Sequence, residues 1–255
     1  MNLITLTTDF GNSDPFVGIM KGVILNICPN ARIIDLTHSI SPQNINQANF
    51  ILKSSYCYFP KGTIHVCIVD PGVGSSRKPI LIKTKDYFFI GPNNGLFSFV
   101  VENIVKVIEL TEKKYWLKNR SQTFHGRDIF APVAAHLARR EKIDNFGNQF
   151  KKENLIKATI PKLIKNKNRI IGSIQYIDCF GNIITNIPNS KLPKRIHGKV
   201  KAINFNGLLS SYSKAKPNKL HAIQGRQNFL ELFINLGSAA KLSSAKVGDK
   251  VEITF

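Results

Sequence analysis

The sequence predicts a mixed α/β chain: an N-terminal α/β domain with a largely parallel sheet, then a smaller C-terminal all-β, barrel-like domain. Three observations predict this. Apolar, β-branched runs alternate with helically spaced segments up to about Glu141, the pattern of strands joined by crossover helices. A polar, lysine-rich stretch with no clear period follows, from Asp144 to Asn168. Beyond it, short apolar runs are separated by turn residues and helical periodicity is missing. We place the domains at 1–165 and 166–255.

Taken in order, Leu3–Thr7 reads as a strand. Val17–Ile27 (VGIMKGVILNI) has helical spacing and stops before Pro29, because the residue before proline disfavours the helical region. Ala31–Leu36 is a second strand, ending in Asp35-Leu36-Thr37-His38. Ser41-Pro42 starts a second helix running to Ser55, with proline in its first turn. Gly62–Val69 is a buried strand, Tyr87–Ile90 another, and Lys106–Leu110 a short one. Asp128–Ala138 is a helix. In the second domain the strands are Arg169–Asp178, Ile183–Ile187, Lys199–Phe205, Phe229–Asn235 and Lys250–Thr254.

At 255 residues and 43% hydrophobic, the chain can bury a substantial core. Its 36 Lys and Arg against 16 Asp and Glu give a net charge of +20. Such a balance raises nucleic-acid binding. The basic residues are scattered, though, with the denser groups in expected loops, so nucleic acid is set aside as the primary partner. Cys28, Cys57, Cys67 and Cys179 lie far apart without a C-x-x-C, and read as buried, reduced thiols, not a disulfide framework or zinc site. No signal peptide is indicated at the N-terminus, and no apolar run approaches the ~20 residues that span a bilayer. A cytoplasmic protein is expected.

Chemistry concentrates where strands end. The run IHVCIVDPGVGSSR (Ile64–Arg77) is a buried strand that stops at Asp70-Pro71 and enters a glycine-containing loop. Arg77, seven residues on, can fold back towards Asp70. A D-P-G turn alone is most simply a capping Asp with a solvated Arg. Two further stretches change that reading. Asp9 ends the first strand in TTDFG, and FHGRD places His125, Arg127 and Asp128 in a turn opening an apolar helix. Three polar clusters at three element ends are the pattern of a site assembled from loops. In the second domain, YIDCFGNIITNI puts Asp178, Asn182 and Asn186 around Phe180 and Gly181. On its own this is either a hairpin turn or a purine pocket, with Phe stacking and Asn reading an edge.

Together, TTDFG (Thr7–Gly11), FPKGTIHVCIVDPGVG (Phe59–Gly74), GPNNGL (Gly91–Leu96), FHGRDIFAPVAA (Phe124–Ala135) and IDCFGNIITNI (Ile177–Ile187) closely resemble the S-adenosyl-L-methionine hydroxide adenosyltransferases. These SAM hydrolases are relatives of the fluorinases and chlorinases. The likeness spans nearly the whole chain. It implies a homotrimer whose substrate lies between the N-terminal domain of one subunit and the C-terminal domain of the next. It also implies attack of water or hydroxide on C5′, releasing adenosine and L-methionine, with no cofactor and no metal. The family's Asp-Arg-His set falls on Asp70, Arg77 and His125, with Asp70 and His125 both able to take the water's proton. Asp9 is expected on the ribose hydroxyls, Phe180 and Asn182 on the adenine, Asp178 on the methionine ammonium and Glu231 on the methionine tail. His125-Gly126 stand where the halogenating relatives have a Tyr-Ser pair, which favours hydroxide over halide. The rivals are a halogenase on the same fold and a non-catalytic SAM- or adenosine-binding protein. Two departures stand out: an amide replaces the family's carboxylate at Asn93, expected as a loop effect, and Gly225–Glu231 lacks the usual small Gly/Ser turn.

Overall fold

The computed structural model describes residues 2–255. Its contacts divide the chain into two units, Met1–Thr159 and Ile160–Phe255. In the first, β1 (Leu3–Thr8), α1 (Phe16–Ile27), β2 (Arg32–Thr37), α2 (Ile45–Ser55), β3 (Ile64–Ile68), β4 (Pro79–Thr84), β5 (Phe88–Pro92), β6 (Ile104–Leu110), α3 (Ala131–Ala138) and β7 (Gly147–Gln149) follow in turn. The sheet order is β2-β1-β3-β5-β4-β6-β7. It is parallel across β2, β1, β3 and β5. It turns antiparallel through β4, β6 and β7. The change of direction comes from β4, a strand the sequence reading did not anticipate, which forms a tight hairpin with β5.

Strand alternation sets the layers. Ile64, Val66 and Ile68 of β3 join Ile4 and Leu6 of β1 in a core with Met20 and Ile24 of α1 and Ala131, Ala134 and Ala135 of α3. Cys67 and Val69 face the opposite core with Ala48 and Leu52 of α2 and Phe89 of β5. Both faces of β1 and β3 are therefore covered, which is why these strands read as nearly continuous apolar runs. His65, fully buried against Phe89, has its pKa lowered to about 4 by burial. Its Nδ1 pairs with Thr5 Oγ1 at 2.8 Å.

Three local expectations are corrected. α2 begins at Ile45, not at Ser41-Pro42, because Gln43 takes a left-handed φ of 65° and Asn44 caps the helix by accepting from Gln47 N. The third helix opens as a π-helical turn, Gly126–Phe130, before α3. Cys57 and Cys179 are exposed, and only Cys28 and Cys67 are buried thiols. Tyr58 beside Cys57 and Phe180 beside Cys179 are themselves at the surface, so an aromatic neighbour in sequence does not imply burial.

In the second unit, β8 (Ile164–Asn166), β9 (Arg169–Ile177), β10 (Ile183–Pro188), β11 (His197–Val200), β12 (Ile203–Asn206), β13 (His221–Gln224), β14 (Phe229–Phe233), α4 (Ala239–Ser243) and β15 (Lys250–Thr254) follow in turn, and the strands build an antiparallel sheet ordered β12-β11-β15-β9-β10-β14-β13, with β8 pairing β9. A bridge from Leu209 to Ile223 brings the two edges together, so the sheet is nearly closed and barrel-like. Ile170, Ile183, Phe205, Leu230, Leu232 and Val251 fill its interior. The expected single strand over 199–205 is two strands, split at Lys201, whose φ is 51°. The stretch read as a periodless linker contains two short paired strands, β7 and β8. Among the described residues, no helix is long and apolar enough to cross a membrane.

Candidate active site

β3 delivers Asp70 to the edge of the first unit, and the loop after it folds back on itself. Val73 N donates to Asp70 O, and Ser75 N to Gly72 O. Gly74 has a φ of +78°, and a Cβ there would come within 2.7 Å of the Gln122 carbonyl oxygen. Only glycine allows both that conformation and that approach. The fold-back brings Arg77 onto Asp70 as a two-pronged pair: Nε donates to Oδ1 at 3.0 Å and Nη2 to Oδ2. Both side chains are more than nine-tenths buried. The guanidinium also lies over the Phe130 ring, 5.4 Å from its centroid.

His125, at the head of the π-helical turn, completes the group. Arg77 Nη2 donates to its Nδ1 at 2.7 Å. Arginine has no acceptor, so Nδ1 must carry the lone pair and Nε2 the hydrogen. Burial lowers the pKa of the ring, and the charges of Arg77 and Arg120 lower it further, so the neutral form is favoured. Its Nε2 is buried with no hydrogen-bond partner among the described residues.

A cavity of about 680 Å³ opens on this group, lined among others by Asp9, Asp70, Val73, His125 and Arg127. Asp9 is steadied by Gln43 N, which donates to its Oδ2 at 2.8 Å. Phe10, Phe16 and Phe124, packed edge to face, form an apolar wall that sequence reasoning did not identify. Asp128 faces inward instead: it is fully buried, clamped by Arg127, and accepts from Ser121 N at 2.7 Å, which fixes the loop bearing Ser121 and Thr123.

The second unit has its own cavity of about 770 Å³, lined by Asp178, Phe180, Asn182, Tyr212, Arg226 and Glu231 among others. Asp178 shapes its turn by accepting from Phe180 N and Asn182 N at Oδ1, and from Asn182 Nδ2 at Oδ2. Phe180 is left 74% exposed, its ring open for stacking. Asn186 belongs elsewhere: its amide bonds Ser173 N and the Pro161 carbonyl. Glu231 is buried and accepts from the Tyr212 hydroxyl at 2.6 Å. Burial, then the charge of Asp178, pushes the Glu231 carboxyl up, and burial with the Glu231 bond pushes Tyr212 to about 12. Tyr212 lies in the polar run SSYSK, which has no period or motif to single it out.

Both sequence departures have a structural account. Asn93 is buried; its Nδ2 donates to Asn154 O at 3.1 Å and its Oδ1 accepts from Ile156 N at 2.9 Å. A carboxylate could make the second bond but not the first, so the amide ties this loop to the segment leaving the unit. In the 225–229 turn, Asn228 takes the left-handed φ of 65° that a glycine would otherwise supply.

Residues 4–147 match the model of the SAM hydroxide adenosyltransferase N-terminal domain, and 172–252 that of the C-terminal domain. The chain belongs to this family. Its fold is similar to that of a solved structure, an uncharacterized conserved protein from Thermotoga maritima, which superposes with a TM-score of 0.92 at 34% identity, covering 99% of this chain and 100% of that one. The (R)-S-adenosyl-L-methionine hydrolase of Methanocaldococcus jannaschii is 37% identical over 100% of this chain and 97% of its own length. A fluorinase of an Actinoplanes species is a more distant relative, 26% identical over 75% of this chain and 74% of its own.

Proposed function

We propose that this chain hydrolyses S-adenosyl-L-methionine to adenosine and L-methionine, taking the (R)-sulfonium epimer named for its hydrolase relatives. The observation that carries the reading is the buried Asp70–Arg77–His125 group at the floor of a cavity, in a chain of the hydroxide adenosyltransferase family. The sulfonium leaves as a neutral thioether and needs no acid. The demand falls on the nucleophile, which must be held in line and lose a proton. Water oxygen bonds to C5′, the C5′–S pair returns to sulfur, and the water proton passes to Asp70 and then to solvent. Arg77 favours the hydroxide form of the nucleophile by its charge and fixes the Asp70 carboxylate.

His125 takes a narrower role than the sequence suggested. Its Nδ1 is engaged by Arg77, so it does not accept the proton; its Nε2–H donates to the attacking oxygen. Asp9 accepts from the ribose hydroxyls, and Phe180 with Asn182 receives the adenine. A carboxylate has about four acceptor positions, and Asp178 spends three on its turn. The fourth is suited to the methionine ammonium, with Glu231 beside the methionine tail. We further propose a cytoplasmic homotrimer in which the two cavities that complete a site come from different subunits, and a reaction without metal or cofactor. Multi-angle light scattering is expected to return three times the chain mass.

The deciding experiment is incubation with (R)-SAM in ¹⁸O-water. Adenosine labelled at O5′ and unlabelled methionine are expected, at a rate unaffected by EDTA. Unlabelled adenosine would remove attack by water at C5′, and tight binding without product would make the chain a sensor. A rate abolished by EDTA and restored by a divalent cation would remove the metal-free reading. Formation of a 5′-halo nucleoside in preference to adenosine would make it a halogenase.

Asn182→Ala is expected to weaken adenosine binding by about tenfold, the worth of one to two buried hydrogen bonds, as read by calorimetry. Unchanged affinity would remove Asn182 from the adenine site.

A further inference from the structure

The motif Asp35-Leu36-Thr37-His38 ends β2 on the sheet edge and has no part in the reaction as described. Its two polar ends are joined. His38 is buried, with Nε2 3.0 Å from Asp35 Oδ1 and Nδ1 2.8 Å from Thr8 Oγ1. Asp35 in turn meets Lys21 of α1 at 2.5 Å. Partial burial opposes ionisation of Asp35, yet Lys21 and His38 together hold its carboxyl below the usual range.

Asp35 Oδ1 faces Nε2 as a charge contact off the line of a ring N–H, Nε2 having no hydrogen-bond partner among the described residues, while Nδ1 is paired with the Thr8 hydroxyl. The Thr8 oxygen accepts from Phe10 N, at 3.2 Å. His38 also reaches the same loop through its backbone: its carbonyl accepts from Gly11 N at 2.8 Å, where φ is +70°. Asp9 lies between these attachments, on the cavity wall. The chain from Lys21 to Phe10 thus fixes the backbone on both sides of a carboxylate whose own hydrogen bond comes from Gln43 N.

We infer that Asp35, His38 and Thr8 are positioning residues that aim the Asp9 carboxylate at the ribose hydroxyls of the substrate. The inference rests on the reading of Asp9 as the ribose acceptor. A satisfied core histidine would stabilise the fold without touching ribose recognition, so the test compares adenosine with 2′-deoxyadenosine. Wild type is expected to prefer adenosine by about tenfold or more, the worth of a hydrogen bond to a charged group, and Asp9→Asn to lose that preference. His38→Leu and the near-isosteric Thr8→Val are expected to bring the preference to within about twofold of unity, raising KM more than they lower kcat. Circular dichroism and melting establish that each variant is folded; if His38→Leu is not, Thr8→Val carries the test. Variants that are folded and keep the wild-type preference would overturn the positioning role while leaving Asp9 in place. A wild type that does not distinguish the two nucleosides would remove Asp9 from the ribose, and the relay with it.

Discussion

Asp70→Asn is expected to lower kcat by about 10²–10⁴-fold, the range lost with a general base, while adenosine affinity stays within about threefold of wild type. The substitution keeps the shape of the side chain and one carbonyl oxygen for Arg77, but it removes the atom that can take a proton from water. It also removes one prong of the Arg77 pair, since an amide nitrogen faces a guanidinium that only donates. Nucleoside recognition is assigned to other residues, Asp9, Phe180 and Asn182, none of which bonds Asp70. Single-turnover kinetics and calorimetry on the same preparation separate the two effects. A parallel loss of turnover and affinity would make Asp70 a structural support for the cavity and not the base.

How much of this was legible in the sequence depends on the range of the interaction. The Asp70–Arg77 pair lies within one loop, and the glycines that reverse it are written beside it, so the fold-back could be read directly. His125 is 48 residues from Arg77, and its place beside them followed from the pattern of polar strand ends and the family resemblance. β1, β3 and α1 were readable because each is buried on a face that its spacing declares. β4 was missed because Arg77 and Lys78 precede it, Pro79 opens it, and Lys83 and Lys85 lie at and just past its end, masking a buried ILI triplet. Asp128 was grouped with His125 on proximity in the chain. The π-helical turn points the two apart, one to the cavity and the other onto Ser121 N. Tyr212 and the phenylalanine wall were invisible for a simpler reason: aromatic residues are as common in cores as in sites, and only the fold says which.

Arg77→Met should produce the second large effect, with a signature in pH that the Asp70 variant lacks. Removing the guanidinium takes away the charge that favours the hydroxide form of the nucleophile and the two bonds that position the Asp70 carboxylate, and kcat/KM is expected to fall by about 10²-fold or more. It also leaves the buried Asp70 carboxylate unpaired, at a cost to stability of about 3–5 kcal/mol, visible as a lower melting temperature. The diagnostic effect is on His125. In the wild type, burial and the Arg77 and Arg120 charges hold its pKa below the usual imidazole value, so the ring stays neutral as pH falls towards that depressed value. Below it the ring gains a proton, Nδ1–H meets the Arg77 N–H, and activity is lost on an acid limb. Once the guanidinium is replaced by a thioether, one repelling charge is gone and the Asp70 carboxylate is no longer offset, so both changes favour imidazolium. The acid limb of log kcat/KM therefore moves to higher pH in the variant. Arg77→Lys is expected to share most of the rate loss, because an ammonium cannot hold the two Asp70 oxygens and His125 Nδ1 in one plane. An acid limb that stays where it was would show that His125 is not the titrating group, and would reopen the assignment of its Nε2–H to the attacking oxygen.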